Sequence, residues 1–157
     1  MESDKQRRYE KKFETKIHIS RPRQMLYEYW RNLENLPCFM NHVDSVKILN
    51  DRKFHLVEKS SLGRKVGWDG EIVTEHKNEV MSWRSLKNSG IENAGSVRFE
   101  DAPAGTEVKL ELAYNPPGGA IRKLFLKILG GEPSRQFEQD LRHFKNLMEQ
   151  KISCGCF

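Results

Sequence analysis

Five histidines (His18, His42, His55, His76, His143), three cysteines (Cys38, Cys154, Cys156) and a close carboxylate pair (Asp69, Glu71) are the residues of this chain best suited to chemistry. Their spacing argues against most of it. No two histidines stand as H-x-x-x-H and no cysteine lies within three residues of a histidine. No zinc ligand set is therefore visible, and neither a metal nor another cofactor is expected. Asp69 and Glu71 alternate with Trp68, Gly70 and Ile72. If the latter three face the interior, both acids meet water and cannot act as an internal acid/base pair. His18 alternates to the solvent side of its segment, and His42 and His76 stand at element ends. No Ser-His-Asp or Cys-His set shows by proximity, although such sets also assemble from distant segments. Gly118-Gly119 lacks the spacing of a phosphate loop. No catalytic residue is assigned. Cys154-Gly155-Cys156-Phe157 lacks the aliphatic pair of a prenylation box and reads as a tail with two thiols.

The elements that would position any site follow from periodicity. Phe13, Thr15, Ile17 and Ile19 alternate with polar residues, as in a half-buried strand. Ser20-Arg21-Pro22 starts a helix over about 22–33, whose apolar face is Met25, Leu26, Tyr29, Trp30 and Leu33. Asn35-Leu36-Pro37 breaks it, and Cys38, Phe39 and Met40 suit a second short helix ending near Asn41-His42. Six strands follow: 43–49, 53–59, 67–76, 80–86, 95–99 and 106–114. Asn50-Asp51, Lys77-Asn78-Glu79 and Pro103-Ala104-Gly105 supply turns. In the last strand Thr106, Val108, Leu110, Leu112 and Tyr114 share one face, with Glu107, Lys109 and Glu111 on the other. After Pro116-Pro117-Gly118-Gly119 the chain is helical. Gly130-Gly131 and Pro133 divide this region into a piece near 119–129 and a longer one from about 134 to 151.

Composition narrows the class. The 157 residues suit one domain, with a polar lead-in over 1–11, a folded unit over 12–152 and a Cys-containing tail over 153–157. Lys and Arg number 27 against 22 Asp and Glu, but they are interleaved along the chain, so no nucleic-acid surface is expected. The dense run Lys5–Lys12 reads as a solvated lead-in. No stretch approaches the roughly 18 apolar residues of a membrane span, so stable membrane insertion is not expected. The odd cysteine count and a charged N-terminus point to the cytoplasm.

Local motifs add a resemblance. Tyr29-Trp30-Arg31-Asn32-Leu33-Glu34-Asn35-Leu36-Pro37-Cys38-Phe39-Met40, Gly67–Ile72, Trp83-Arg84-Ser85, Asn93–Phe99, Ala104–Val108 and Asp140–Phe144 resemble runs of the polyketide cyclase/dehydrase-like branch of the START-like, birch-pollen-allergen (SRPBCC) superfamily. The resemblance spans about residues 12–150. It implies an α+β helix-grip fold: a curved antiparallel sheet of about seven strands, in the order β-α-α-β6-α, wrapped on a long, broken C-terminal helix. It also implies a cavity between sheet and helix. The residues expected at its wall are Phe39, Met40, Trp68, Trp83, Phe99, Tyr114, Leu124, Phe125, Phe137 and Leu141. Trp30, on the amphipathic first helix, is expected in plain packing, and Trp68 at a bulge. The implied function is binding or carriage of a small apolar molecule, lipid-, quinone- or polyketide-like. The alternatives are a cyclase or dehydratase and a protein-interaction module. The enzyme needs at least two convergent polar or titratable groups in the cavity, whereas a carrier expects a nearly all-apolar wall.

Overall fold

The alternation around Phe13–Ile19 builds β1 (Lys11–Ile19). The structure is a computed structural model, and it describes residues 9–59, 63–87, 90–115 and 133–154. Pro22 stands just before α1 (Arg23–Arg31), where its missing N–H costs nothing. The stretch expected to break the chain is itself a 3₁₀ helix, Leu33–Cys38, with Pro37 inside it. The short helix expected from Cys38 onward is absent, and Phe39–His42 is a turn into the next strand. Pro37 cannot donate to a continuing α-helical ladder, whereas a short 3₁₀ segment tolerates it.

Six strands follow: β2 (Val43–Ile48), β3 (Lys53–Lys59), β4 (Lys65–His76), β5 (Val80–Ser85), β6 (Glu92–Ala102) and β7 (Gly105–Asn115). With β1 they form one seven-stranded antiparallel sheet in the order β1-β7-β6-β5-β4-β3-β2. The concave face carries Thr106, Val108, Leu110 and Tyr114, all buried, in the register read from the alternation. The C-terminal helix, α2 (Pro133–Cys154), begins at the proline expected to interrupt it and packs on β1. The piece expected near 119–129 lies outside the described residues, as do Gly155–Phe157. No helix among the described residues is long and apolar enough to cross a membrane.

Two β-bulges shape the interior. In β2 the extra residue is Asp44, so Val43 and Val46 both turn inward opposite Glu58 and Leu56. In β4 the bulge falls at Ile72–Thr74, not at Trp68, whose pairing with Leu56 is regular. One residue of slip swaps the faces of a strand. Glu75 thereby pairs with Met81 across the sheet, and its carboxylate takes hydrogen bonds from the Tyr27 hydroxyl and from Arg31 Nε at 2.5 Å. This ties α1 to the sheet. Asp69 and Glu71 do face outward, against His55 (2.6 Å) and Arg84 (2.7 Å).

The core under α1 and α2 is aromatic. Phe39 lies 4.9 Å from Trp30 and 4.8 Å from Phe144 (ring centroids), and Trp30 and Phe144 meet edge-on at 5.1 Å. On the sheet side, Gly95 is set by a close approach: a Cβ there would sit 2.4 Å from the Trp83 ring and 2.6 Å from the Glu111 carbonyl oxygen. The backbone oxygen cannot move aside without breaking the ladder. Gly95→Ala should therefore lower stability by about 1–3 kcal/mol, seen as a lower urea midpoint at unchanged slope. An unchanged midpoint would show that the indole swings away freely.

Candidate ligand-binding site

The concave face and the helical elements leave a cavity of ≈ 80 Å³ between them. That is several times the roughly 10–15 Å³ one water molecule requires. Its wall is mostly large and apolar: Trp30, Phe54, Trp68, Met81, Leu110 and Phe137 reach it from four strands and two helices. Its polar groups are not scattered. His42 precedes β2, Glu58 ends β3, Asn93 begins β6 and Tyr114 ends β7, all of them at one end of the antiparallel sheet.

Asn93 is fully engaged as wall. Its amide oxygen accepts from Trp83 Nε1 (3.1 Å), its amide nitrogen donates to the Ile91 carbonyl, and its backbone N–H donates to Ser85 Oγ. This network anchors the Trp83 indole, which lines the cavity. Burial pushes the Tyr114 hydroxyl above its ordinary range, so it is a neutral hydrogen-bonding group there.

His42, Glu58 and Asp140 form a buried cluster. His42 Nε2 is 3.9 Å from Glu58 Oε1, and His42 Nδ1 is 3.5 Å from Asp140 Oδ2. Asp140 stands behind His42 on α2, fully buried, and accepts from Gln136 Nε2 at 3.1 Å. Burial holds the imidazole down to about 4. It raises the Glu58 carboxyl to about 7. It raises Asp140 to about 8, against the hydrogen bond from Gln136 and helped by the nearby Glu58. At neutral pH the imidazole is uncharged and Asp140 is mostly protonated, so the short distances are contacts of a nearly neutral trio rather than ion pairs. Glu58 Oε2, Asp140 Oδ2 and His42 Nδ1 have no hydrogen-bond partner. Among the described residues no group of His, Cys, Asp or Glu is arranged to hold a metal ion.

Of the residues expected at the wall, Met40, Trp68, Trp83, Tyr114 and Phe137 line the cavity. Phe39, Phe99 and Leu141 do not. Phe39 is spent on the ring cluster with Trp30 and Phe144, Phe99 packs on Tyr27 and Trp30, and Leu141 is buried in the core. Leu124 and Phe125 lie outside the described residues. Trp30 serves both the core and the wall. The sequence reading misses the acid–histidine cluster. Its signals are an acid in the inward phase of β3, after Phe54 and Leu56, and an acid on the apolar stripe of α2, between Phe137 and Leu141.

This geometry has counterparts. Residues 19–142 match the family described as polyketide cyclase / dehydrase and lipid transport. A solved structure from Deinococcus radiodurans is 33% identical, with a TM-score of 0.70 over 91% of this chain and 99% of that one. One from Thermus thermophilus is 21% identical, with a TM-score of 0.69 over 87% of this chain and 95% of that one. The Zhui aromatase/cyclase of a Streptomyces species shares the fold at 13% identity, with a TM-score of 0.73 over 90% of this chain and 95% of that one. No curated protein shows significant similarity. The chain belongs to the polyketide cyclase/dehydrase and lipid transport family, within the START-like helix-grip superfamily.

Proposed function

We infer that the protein binds a small, largely hydrophobic molecule in this cavity, apolar body against the tryptophans and polar group toward His42 and Glu58. The observation that carries this reading is the segregation of the wall: apolar along most of its length, polar at one end. Such a wall gains from burying apolar area, roughly 25 cal/mol per Å², and orients a ligand by a few placed polar groups. Native mass spectrometry of the purified protein, followed by extraction, would identify a retained ligand. A fluorescent apolar dye should bind the wild type, and Trp83→Gln should weaken it about tenfold or more. Leu112→Phe, which fills space from a half-buried strand position, should weaken it without a polar change. Urea melts separate these effects from unfolding. If the wild type takes up neither dye nor retained ligand, the reading fails.

A second reading, a cyclase or dehydratase acting on a polyketide-like substrate, draws support from two titratable side chains, His42 and Glu58, converging on the cavity. Turnover of a poly-β-carbonyl substrate that is lost in His42→Ala would favour it.

A further inference from the structure

The polar end of the cavity holds one buried acid, Glu58, with a second, Asp140, behind His42. Glu58 is 8% exposed and Asp140 fully buried, and each has a carboxyl oxygen with no hydrogen-bond partner. Among the described residues no Lys or Arg lines the cavity, and the only basic side chain near either acid is the imidazole between them. The contrast with Glu75, which the same fold supplies with both Tyr27 and Arg31, is direct. Buried polar atoms are as a rule satisfied, so the orphan oxygen of Glu58, the acid on the cavity wall, asks for a donor once it is ionised.

The chemistry of that donor is constrained. An anionic head would meet the Glu58 carboxyl and no Lys or Arg, so carboxylates and phosphates are disfavoured. A hydroxyl head can donate only one hydrogen bond to Glu58, and a carbonyl head can donate none. An ammonium carries several N–H donors and a charge, and hydrogen bonds to charged groups are the stronger kind. Phe137, whose ring lies 5.4 Å from that of His42, also borders this end, and aromatic faces attract cations. We propose that the ligand class of this cavity is a hydrophobic amine, its ammonium seated on the Glu58 carboxylate with Asp140 behind His42 adding counter-charge. The proposal rests on the cavity being a binding site.

Binding of an ammonium requires Glu58 to ionise, so affinity should rise with pH through about 7. The other ionisable groups on the surrounding elements are otherwise engaged. His143 on α2 meets the Phe39 carbonyl, while Asp44 on β2 is paired outward with Lys59 and Lys65. Tyr114 is held neutral by burial.

The test is calorimetric titration with 4-phenylbutylamine, 4-phenylbutanol and 4-phenylbutyrate, three probes sharing one body. At pH 8.5 the amine should bind at least tenfold more tightly than the alcohol, with the carboxylate weakest. Glu58→Gln should bring amine and alcohol within about twofold of each other. Asp140→Asn should narrow the gap in part. At pH 6.5, titrations in two buffers of different ionisation heat should show proton release for the amine and none for the alcohol. If alcohol matches amine in the wild type, or Glu58→Gln leaves the gap intact, the amine assignment is overturned while the cavity reading stands. If none of the three binds but the apolar dye does, the assignment is again overturned. Failure of dye and probes together overturns both.

Discussion

The double substitution Glu58→Gln, Asp140→Asn is expected to stabilise the protein at pH 8.5 by several kcal/mol and to abolish its loss of stability with rising pH. The unfolded carboxyls titrate near 4, whereas the folded ones are raised by burial, to about 7 for Glu58 and about 8 for Asp140. Folding therefore holds protons that the unfolded chain has released. The stability these groups contribute is complete below about pH 4 and is lost as pH rises through the folded values. His42 acts the other way. Its folded value is lowered to about 4, so its contribution is present above about 6.5 and lost as pH falls. Between about pH 4.5 and 6.5 the native state keeps two protons on the acids and the unfolded state one on the imidazole. The net slope is then a loss of about 1.4 kcal/mol per pH unit, which fades above about pH 7 as the folded acids themselves ionise. The neutral amides of the double variant cannot ionise and remove the falling limb. Urea melts of both proteins at pH 5.5, 7 and 8.5 measure it. A variant less stable than the wild type at pH 8.5 would mean that the carboxylates have partners compensating their burial.

Phe144→Ala should be the most damaging single truncation among the core rings. Its side chain is fully buried and touches Phe39, Trp30 and Tyr29 at once. Removing it leaves a void bounded by rings from α1 and from the turn after the 3₁₀ helix, neither of which can collapse into it alone. The expected loss is about 3–5 kcal/mol, a fall in Tm of roughly 10 °C for a chain of this size. Phe144→Leu, which keeps most of the volume, should lose less than half as much. Equal losses for the two would point to the edge-on ring contact, rather than the filled space, as the source of stability.

How far the sequence reaches differs between fold and site for a physical reason. The phase of β7 is legible because Thr106–Tyr114 alternate without interruption, and one buried face fixes the register. The Asn50-Asp51 turn announces the β2–β3 hairpin in the same way. The bulges are not legible, because one extra residue is a property of a pair of strands and each strand alone only looks irregular. For the same reason Glu75 gives no sign that it will meet Tyr27 and Arg31. The polar end of the cavity is harder still. Periodicity says which way Glu58 and Asp140 face but not that both face His42, since that depends on how β3 and α2 lie across the sheet. The apolar residues mislead in a complementary way. Phe39 and Phe99 are as large and inward as Trp68 and Trp83, and only packing decides which rings touch each other and which border empty space.

The position of β1 carries a consequence for biosynthesis. Its partner is β7, with Lys11 opposite Tyr114, so the strand of this sheet that is made first must wait for roughly a hundred further residues before its edge is covered. At about 5–20 residues per second that is on the order of ten seconds. Throughout that interval Phe13, Ile17 and Ile19 are presented along an open strand edge, and the meander from β2 to β7 can assemble in chain order without them. Among the strands of this sheet, β1 is thus the one for which a ribosome-bound chaperone has the longest opportunity.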